Sequence, residues 1–400
     1  MLTPAEAEKL MLEAIPLLHR EDCTLEEAHG RVLRGDIRAD RDLPPFDRVT
    51  MDGFALRSAD MAAGARKFKV GATQAAGMRP FEMEEGLCCI EVMTGAVLPS
   101  GADCVIPYED AERGGSHVSI RAGASAGPGQ HIHRRGSDHG AGDVVVRAGA
   151  RLTGREIAVA AACGYPALTV TCSPKVAVVS TGDELVEVGA AVAAHQVRRS
   201  NDYALRAGLI RAGYPRVERF HLRDVRHEIE HMLWHILAEH DVVLITGGVS
   251  KGKFDFLPSE LARQGVNKIF HGVAQRPGKP FWFGISGRMT PVFALPGNPV
   301  SAYTCLHRYV LPALDHASGC EARLPLMAAL SEAVTFTPRL ARLLPVTLAS
   351  GPGAQLLAKP APVNSSGDFS GLVGTDGFVE LPAGLDEFPA GHAAPFRGWV

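Results

Sequence analysis

From Lys175 onward the chain keeps changing its hydrophobic period, and this alternation constrains the fold more than any other feature. Short uninterrupted apolar runs at 176–179, 242–245 and 292–295, and the mixed run 217–221, read as strands. Stretches of helical period at about 202–212, 225–239, 256–263 and 299–309 lie between or after them. A run that is apolar at every position must be buried on both faces. Strand and helix in turn therefore predict a mostly parallel sheet with helices on both sides.

Three of these strands run into glycine-bearing turns: Ser180-Thr181-Gly182-Asp183-Glu184, Thr246-Gly247-Gly248-Val249-Ser250 and Pro296-Gly297-Asn298-Pro299. In an open parallel sheet, ligands bind at the carboxyl ends of the strands. Glycine lets backbone N–H groups approach a phosphate, and the following helix N-terminus favours negative charge. One such turn is only a tight turn; three on one edge point to a phosphorylated ligand. Two standard phosphate motifs fail. Gly247 to Lys253 fits G-x-x-x-x-G-K, but Phe254 stands where a P-loop needs Ser or Thr. No G-x-G-x-x-G opens a helix. Asp183, Glu184, Asp224 and Asp255 lie at or near the same strand ends, where they would repel an anion unless a hard cation such as magnesium stood between. Lys251, Lys253, Arg276 and Lys279 are the basic groups at hand. Any one of these charges alone reads equally well as solvated surface.

The metalloprotease pattern H-E-x-x-H occurs at His227-Glu228-Ile229-Glu230-His231. Helical spacing gathers Val225, Ile229, Met232, Leu233, Ile236 and Leu237 on one face and puts His227, His231 and His235 on the other, toward solvent. No third ligand is evident, so a wet histidine stripe is the expectation. His131 and His133 fall in a Gly-, His- and Arg-rich loop at 123–142. The eight cysteines form no C-x-x-C pair and sit mostly in apolar contexts, as small buried hydrophobes.

The remaining chain is less periodic. Residues 1–43 look helical apart from an extended passage near Asp36-Ile37, and Thr3, Pro4 and Glu6 form a helix-start signature. Residues 44–146 hold short apolar runs punctuated by Gly and Pro, a mostly β pattern; residues 151–163 return to helix; 328–400 revert to short strands. The predicted division is 1–43 plus 147–173, an inserted β domain at 44–146, the α/β domain at 174–327 and a small β domain at 328–400. A formal net charge of −3 gives no global case for nucleic acid or an anionic membrane. No apolar stretch of spanning length and no basic, apolar leader is apparent, so a cytoplasmic protein is expected.

Read with their flanks, these turns resemble the signatures of the molybdopterin molybdenumtransferase (molybdenum insertase, gephyrin E-domain-like) family. Val178 to Leu185, Ser200-Asn201, Asp241 to Ser250 with Asp255, Arg276-Pro277-Gly278-Lys279-Pro280, and Leu295 to Ser301 occur in the family's order. Pro44 to Asp47, Met51-Asp52-Gly53-Phe54-Ala55, Met93-Thr94-Gly95-Ala96, Pro99 to Asp103 and Arg135 to Asp138 extend the likeness to the first half. The resemblance implies a molybdopterin-binding-like central domain in a dimer with a shared cleft. There adenylylated molybdopterin would receive molybdate and release AMP with Mg2+. It implies catalytic roles for Asp52, Glu184, Asp224 and Asp255, the last two near the metal. Substrate contacts would come from Thr94, Asp138, Thr181, Gly182, Asp183, Ser200, Asn201, Gly247, Gly248, Ser250, Arg276, Lys279, Pro296, Gly297, Asn298 and Pro299, with Ser365 or Ser366 from the last domain. The adenylylating enzyme and recipient molybdoenzymes are the implied partners. Arg48-Val49-Thr50, Arg199, His271 and Arg276 depart from the usual pattern, and an Arg for Lys at an oxyanion site changes its geometry. A tungstate-preferring paralogue, a non-catalytic carrier or scaffold, the adenylylating enzyme itself and a zinc hydrolase are the competing readings.

Overall fold

The structure, a computed structural model, describes residues 1–248, 257–322 and 324–399. It contains two compact units. One comprises residues 1–34, 149–153 and 167–400; the other comprises 35–148 and 154–166.

In the first unit six strands form a sheet, β1 (Val176–Thr181), β2 (Val217–Leu222), β3 (Val242–Thr246), β4 (Asn267–His271), β5 (Trp282–Ile285) and β6 (Pro291–Leu295), of which β1, β2, β3 and β6 are the expected ones. Their order across the sheet is β2-β1-β3-β6-β5-β4. The first four in that order are parallel, whereas β5 and β4 add an antiparallel edge. These two strands carry no strict alternation flanked by turn residues, so the sequence does not mark them. The period of two divides each central strand between two cores. Val176, Val178, Val242, Leu244, Phe293 and Leu295 pack on one side, and Ala177, Val179, Val243, Ile245, Val292 and Ala294 on the other. Helix α1 (Asn201–Arg211) covers the first side through Leu205 and Leu209. Helices α2 (Arg226–Glu239) and α3 (Leu257–Arg263) cover the second through Ile229, Leu233, Ile236, Leu237, Leu257 and Leu261. His227 and His231 are exposed on α2, as its period requires.

The last helix of this domain runs past residue 309, where the sequence suggests an end. After α4 (Pro299–Cys305) come a π turn (Leu306–Val310) and α5 (Leu311–Ala317). Pro312 explains the widening: it lacks an N–H and its ring crowds the carbonyl one turn back, and a π turn relieves both. The N-terminus is less helical than its composition suggests. Pro4–Ala14 forms a helix with the Thr3–Glu6 capping box, but Arg20–Thr24 is a strand paired with Ala167–Thr171. Near the C-terminus, strands Leu326–Leu330, Ala341–Ser350, Leu356–Pro360, Gly377–Leu381 and Ala393–Gly398 close on themselves through the Ala341–Ser350 and Gly377–Leu381 pairing. Gln275–Arg276 extends this sheet, pairing in parallel with Ala341 and Arg342.

The second unit is built on a mixed sheet of six strands, in the order Cys104–Pro107, Gly53–Leu56, Cys88–Val92, Lys67–Gln74, His117–Ile120, Ala111–Gly114. Gly53 is required there: a Cβ would lie 2.0 Å from the Ile106 carbonyl oxygen. Helix Gly154–Ala162, expected beside the N-terminal segment, belongs to this unit, where the Tyr165 hydroxyl accepts from the Arg38 amide. Among the described residues no cysteine is in a disulfide, and burial pushes Cys89, Cys104 and Cys305 up to about 12, which keeps them unreactive.

Candidate active site

The three glycine turns meet at the carboxyl edge of the parallel sheet, around a cleft of about 730 Å³. That is within the usual range for a small-molecule site. Thr181, Gly182, Glu184, Ser200, Asn201, Asp224, Gly247, Gly248, Pro296, Gly297, Asn298 and Pro299 all line it. Gly247 shows why the β3 turn needs glycine. Its φ is +96°, and a Cβ would lie 2.8 Å from both the carbonyl oxygen and Oγ1 of Thr181. The ends of β1 and β3 therefore approach closely enough to present backbone rather than side chains to a ligand.

Asn201, in the first turn of α1, ties the edge together. Its Nδ2 donates to Thr246 Oγ1 (2.9 Å) and to the Gly297 carbonyl (2.7 Å). Ser200 precedes α1 at the cap position, yet its side chain makes no capping bond and stays exposed. Asn298 holds a similar place before α4, and its Nδ2 donates to Ser366 Oγ (2.8 Å). Of the two candidate serines, Ser366 thus approaches the cleft edge, while Ser365 Oγ accepts from the Gly367 amide. Thr181 Oγ1, Asn201 Oδ1, Arg199 Nε and Asp202 Oδ1 are buried without a hydrogen-bond partner among the described residues. A buried polar atom left unsatisfied costs about 1–3 kcal/mol, so each of these four is a point at which a bound partner would be favoured.

The acids are arranged by the loops after β1 and β2. Asp183 Oδ1 accepts from the Asp224 amide (3.0 Å) and so fixes the second loop against the first, while Glu184 and Asp224 face the cleft. Asp183 itself does not line it. Ser250, Lys251, Lys253 and Asp255 lie outside the described residues. Arg276 and Lys279 are exposed and do not line the cleft: Arg276 lies on the strand beside the C-terminal barrel, and Lys279 immediately precedes Pro280, which does line it.

Sequence reasoning did not find Asp202 or the ion pairs that Arg199 makes. Asp202 is fully buried, and its Oδ2 meets Arg199 (3.2 Å) and Arg219 (3.1 Å). Arg199 also reaches Glu187 (3.0 Å), and Arg219 lies 3.6 Å over the Tyr203 ring. The Tyr203 hydroxyl donates to Glu187, which with the Arg199 charge holds that carboxyl below the ordinary range. The extra arginine is thus balanced by carboxylates from both sides. An acid just inside a helix start carries no signal that it will be buried.

The second unit holds the other expected residues. Asp52 Oδ1 accepts from the backbone N–H (2.6 Å) and the hydroxyl (2.7 Å) of Thr94, which keep its carboxyl below the usual value. Asp138 Oδ1 accepts from His133 Nε2 (2.8 Å).

Glycine turns, acids and unsatisfied buried polar atoms gathered on one edge of a parallel sheet outline a small-molecule site in an α/β domain. Comparison with known proteins makes this particular. Residues 2–164 match the model of the MoeA N-terminal region (domain I and II), 177–316 a probable molybdopterin binding domain, and 327–396 the MoeA C-terminal region (domain IV). The molybdopterin molybdenumtransferase of Synechocystis sp. is 40% identical over 400 residues, covering the whole of both chains. That of Staphylococcus epidermidis is 34% identical over 382 residues, covering 92% of this chain and 88% of its own. The crystal structure of the molybdopterin biosynthesis MoeA protein from Pyrococcus horikoshii OT3 superposes over all of both chains with a TM-score of 0.84 at 28% identity. The chain belongs to the molybdopterin molybdenumtransferase family.

Proposed function

We propose that this protein performs the last step of molybdenum cofactor assembly, transferring molybdate to adenylylated molybdopterin and releasing AMP. The observation that carries this reading is the cleft: backbone-lined at three turns, with buried polar atoms awaiting partners, in a chain of this family. The turns after β1, β3 and β6 would hold the phosphates, using Thr181, Gly182, Gly247, Gly248, Ser250 and the Pro296 to Pro299 turn. Ser200 and Asn201 would meet the ligand's hydroxyls. Molybdate, a tetrahedral dianion, needs convergent cationic donors. Arg276 and Lys279 are assigned that task, and Ser366, bonded to Asn298, stands at the rim in place of Ser365. Asp52, Thr94 and Asp138 are assigned to the same reaction from the second unit.

The donor set fits magnesium. Glu184 and Asp224 line the cleft beside the phosphate-binding turns, and Mg2+ is held by one or two carboxylates together with substrate phosphates and water. When bound, Mg2+ would neutralise charge on the phosphoanhydride whose cleavage releases AMP. Glu184 and Asp224 (with Asp255) would hold it, and Asp183 would keep the Asp224 loop in place. The four-part division of the chain, a homodimer, and hand-over from the adenylylating enzyme to recipient molybdoenzymes belong to the same proposal.

Asn201→Ala is the test of the cleft. It removes the bonds to Thr246 and Gly297, so equilibrium binding of adenylylated molybdopterin should weaken by about tenfold or more. Unchanged affinity would move the ligand elsewhere.

A further inference from the structure

The second unit contains a hydrogen-bonded chain that ends on Asp138. Arg48–Val49 and Ile132–His133 form a short antiparallel ribbon in which Arg48 lies directly opposite His133. Directly opposed residues on such a pair share a face and touch. Arg48 Nη2 donates to His133 Nδ1 (3.0 Å), and His133 Nε2 donates to Asp138 Oδ1 (2.8 Å). Guanidinium has donors only, so Nδ1 must be the acceptor and the imidazole proton must sit on Nε2. A cation on one side and a carboxylate on the other polarise the ring in the same direction, which strengthens both bonds.

The surroundings fix this chain at both ends. Asp138 donates its amide to the Leu43 carbonyl (2.9 Å). Its loop is held by Arg134 to Asp47 Oδ2 (2.7 Å), the Arg135 amide to Asp47 Oδ1 (2.9 Å) and Arg135 Nε to Asp42 Oδ2 (2.7 Å). On the other edge of the ribbon, the Gly95 amide donates to the Val49 carbonyl (2.8 Å), next to the Thr94 that holds Asp52. One ribbon therefore sets the positions of Asp52, Thr94 and Asp138 within this unit. The Asp138 side chain is 52% exposed, and without His133 nothing among the described residues would select its rotamer. With Oδ1 engaged, Oδ2 is left for a ligand.

We infer that Arg48 and His133 are positioning residues: Arg48 fixes the tautomer of His133, and His133 aims the Asp138 carboxylate for the transfer reaction. This rests on the assignment of Asp138 to the active site proposed above. Arg48, which departs from the family pattern, thereby acquires a role through this chain's own geometry.

The test is a mutant cycle in the full-length protein, with kcat/KM for AMP release and the 15N shifts of the His133 ring as readouts. His133→Ala should lower kcat/KM by about tenfold, as loss of a supporting hydrogen bond to a functional group commonly does. His133→Gln, whose amide N–H and carbonyl reproduce both bonds, should recover most of that loss; Arg48→Ala should release the ring to a mixture of tautomers. In an Asp138→Ala background, His133→Ala should cost almost nothing further, because the two act as one unit. If Asp138→Ala lowers activity but His133→Ala costs the same in both backgrounds, the relay is wrong while the site stands. If Asp138→Ala turns over like the parent, Asp138 leaves the site and the inference falls with it. A parent protein whose His133 carries its proton on Nδ1 overturns the inference by itself.

Discussion

Thr94 illustrates how one residue tunes another. Its backbone N–H is the larger influence on the Asp52 carboxyl and its hydroxyl the smaller, and both favour the charged form. Thr94→Ala removes only the hydroxyl, so the Asp52 pKa should rise part of the way toward the ordinary 3.8. Its depressed value means that this carboxylate stays charged until the pH falls through the folded-state pKa; in the variant, protonation begins at higher pH. A carboxyl 13C titration of both proteins reads this directly, and identical titrations would remove the hydroxyl's part. The Met51 to Ala55 and Met93 to Ala96 segments were legible as a pair only through resemblance, because no local pattern joins residues 42 positions apart. The same is true of Arg48 and His133, whose contact depends on a ribbon of two residues per strand.

At the level of elements, apolar runs buried on both faces were readable, and so were the glycine turns that end them. The antiparallel edge and the π turn were not. The π turn exists because Pro312 must be accommodated inside a helix that packing keeps continuous, and it has a consequence. His307 within it is buried against Tyr303 (4.6 Å) and Trp399 (5.2 Å), and burial pushes its pKa down to about 4. The unfolded chain takes up this proton near the ordinary histidine value, about 6.5, and the folded one does not. Stability is therefore complete above about pH 6.5, falls as the pH drops toward 4, and levels off below. The loss is on the order of 3 kcal/mol. His307→Phe keeps the ring stack without a titrating group, so its Tm should fall less than the parent's between pH 7 and pH 5. Parallel curves would show that the ring is protonated in the folded state.

For the whole molecule, family signatures gave more than physics alone could. Alternating periods predicted the central sheet and the edge that holds the cleft. They could not show that residues 154–166 return to the unit begun at residue 35, because that depends on contacts between distant segments. Among the described residues no helix is long and apolar enough to cross a membrane. The proposed homodimer predicts sedimentation at about twice the 42.5 kDa chain mass; a monomer at working concentration would contradict the shared cleft.

The most direct measurement is a single turnover with purified protein, adenylylated molybdopterin, magnesium and molybdate, following AMP released and molybdenum retained on the pterin. Molybdate transfer predicts that the two rise together, and that Glu184→Ala and Asp224→Ala abolish both. Tight binding of the pterin with no AMP formed, across molybdate and tungstate alike, would contradict it and leave a carrier in place of an enzyme.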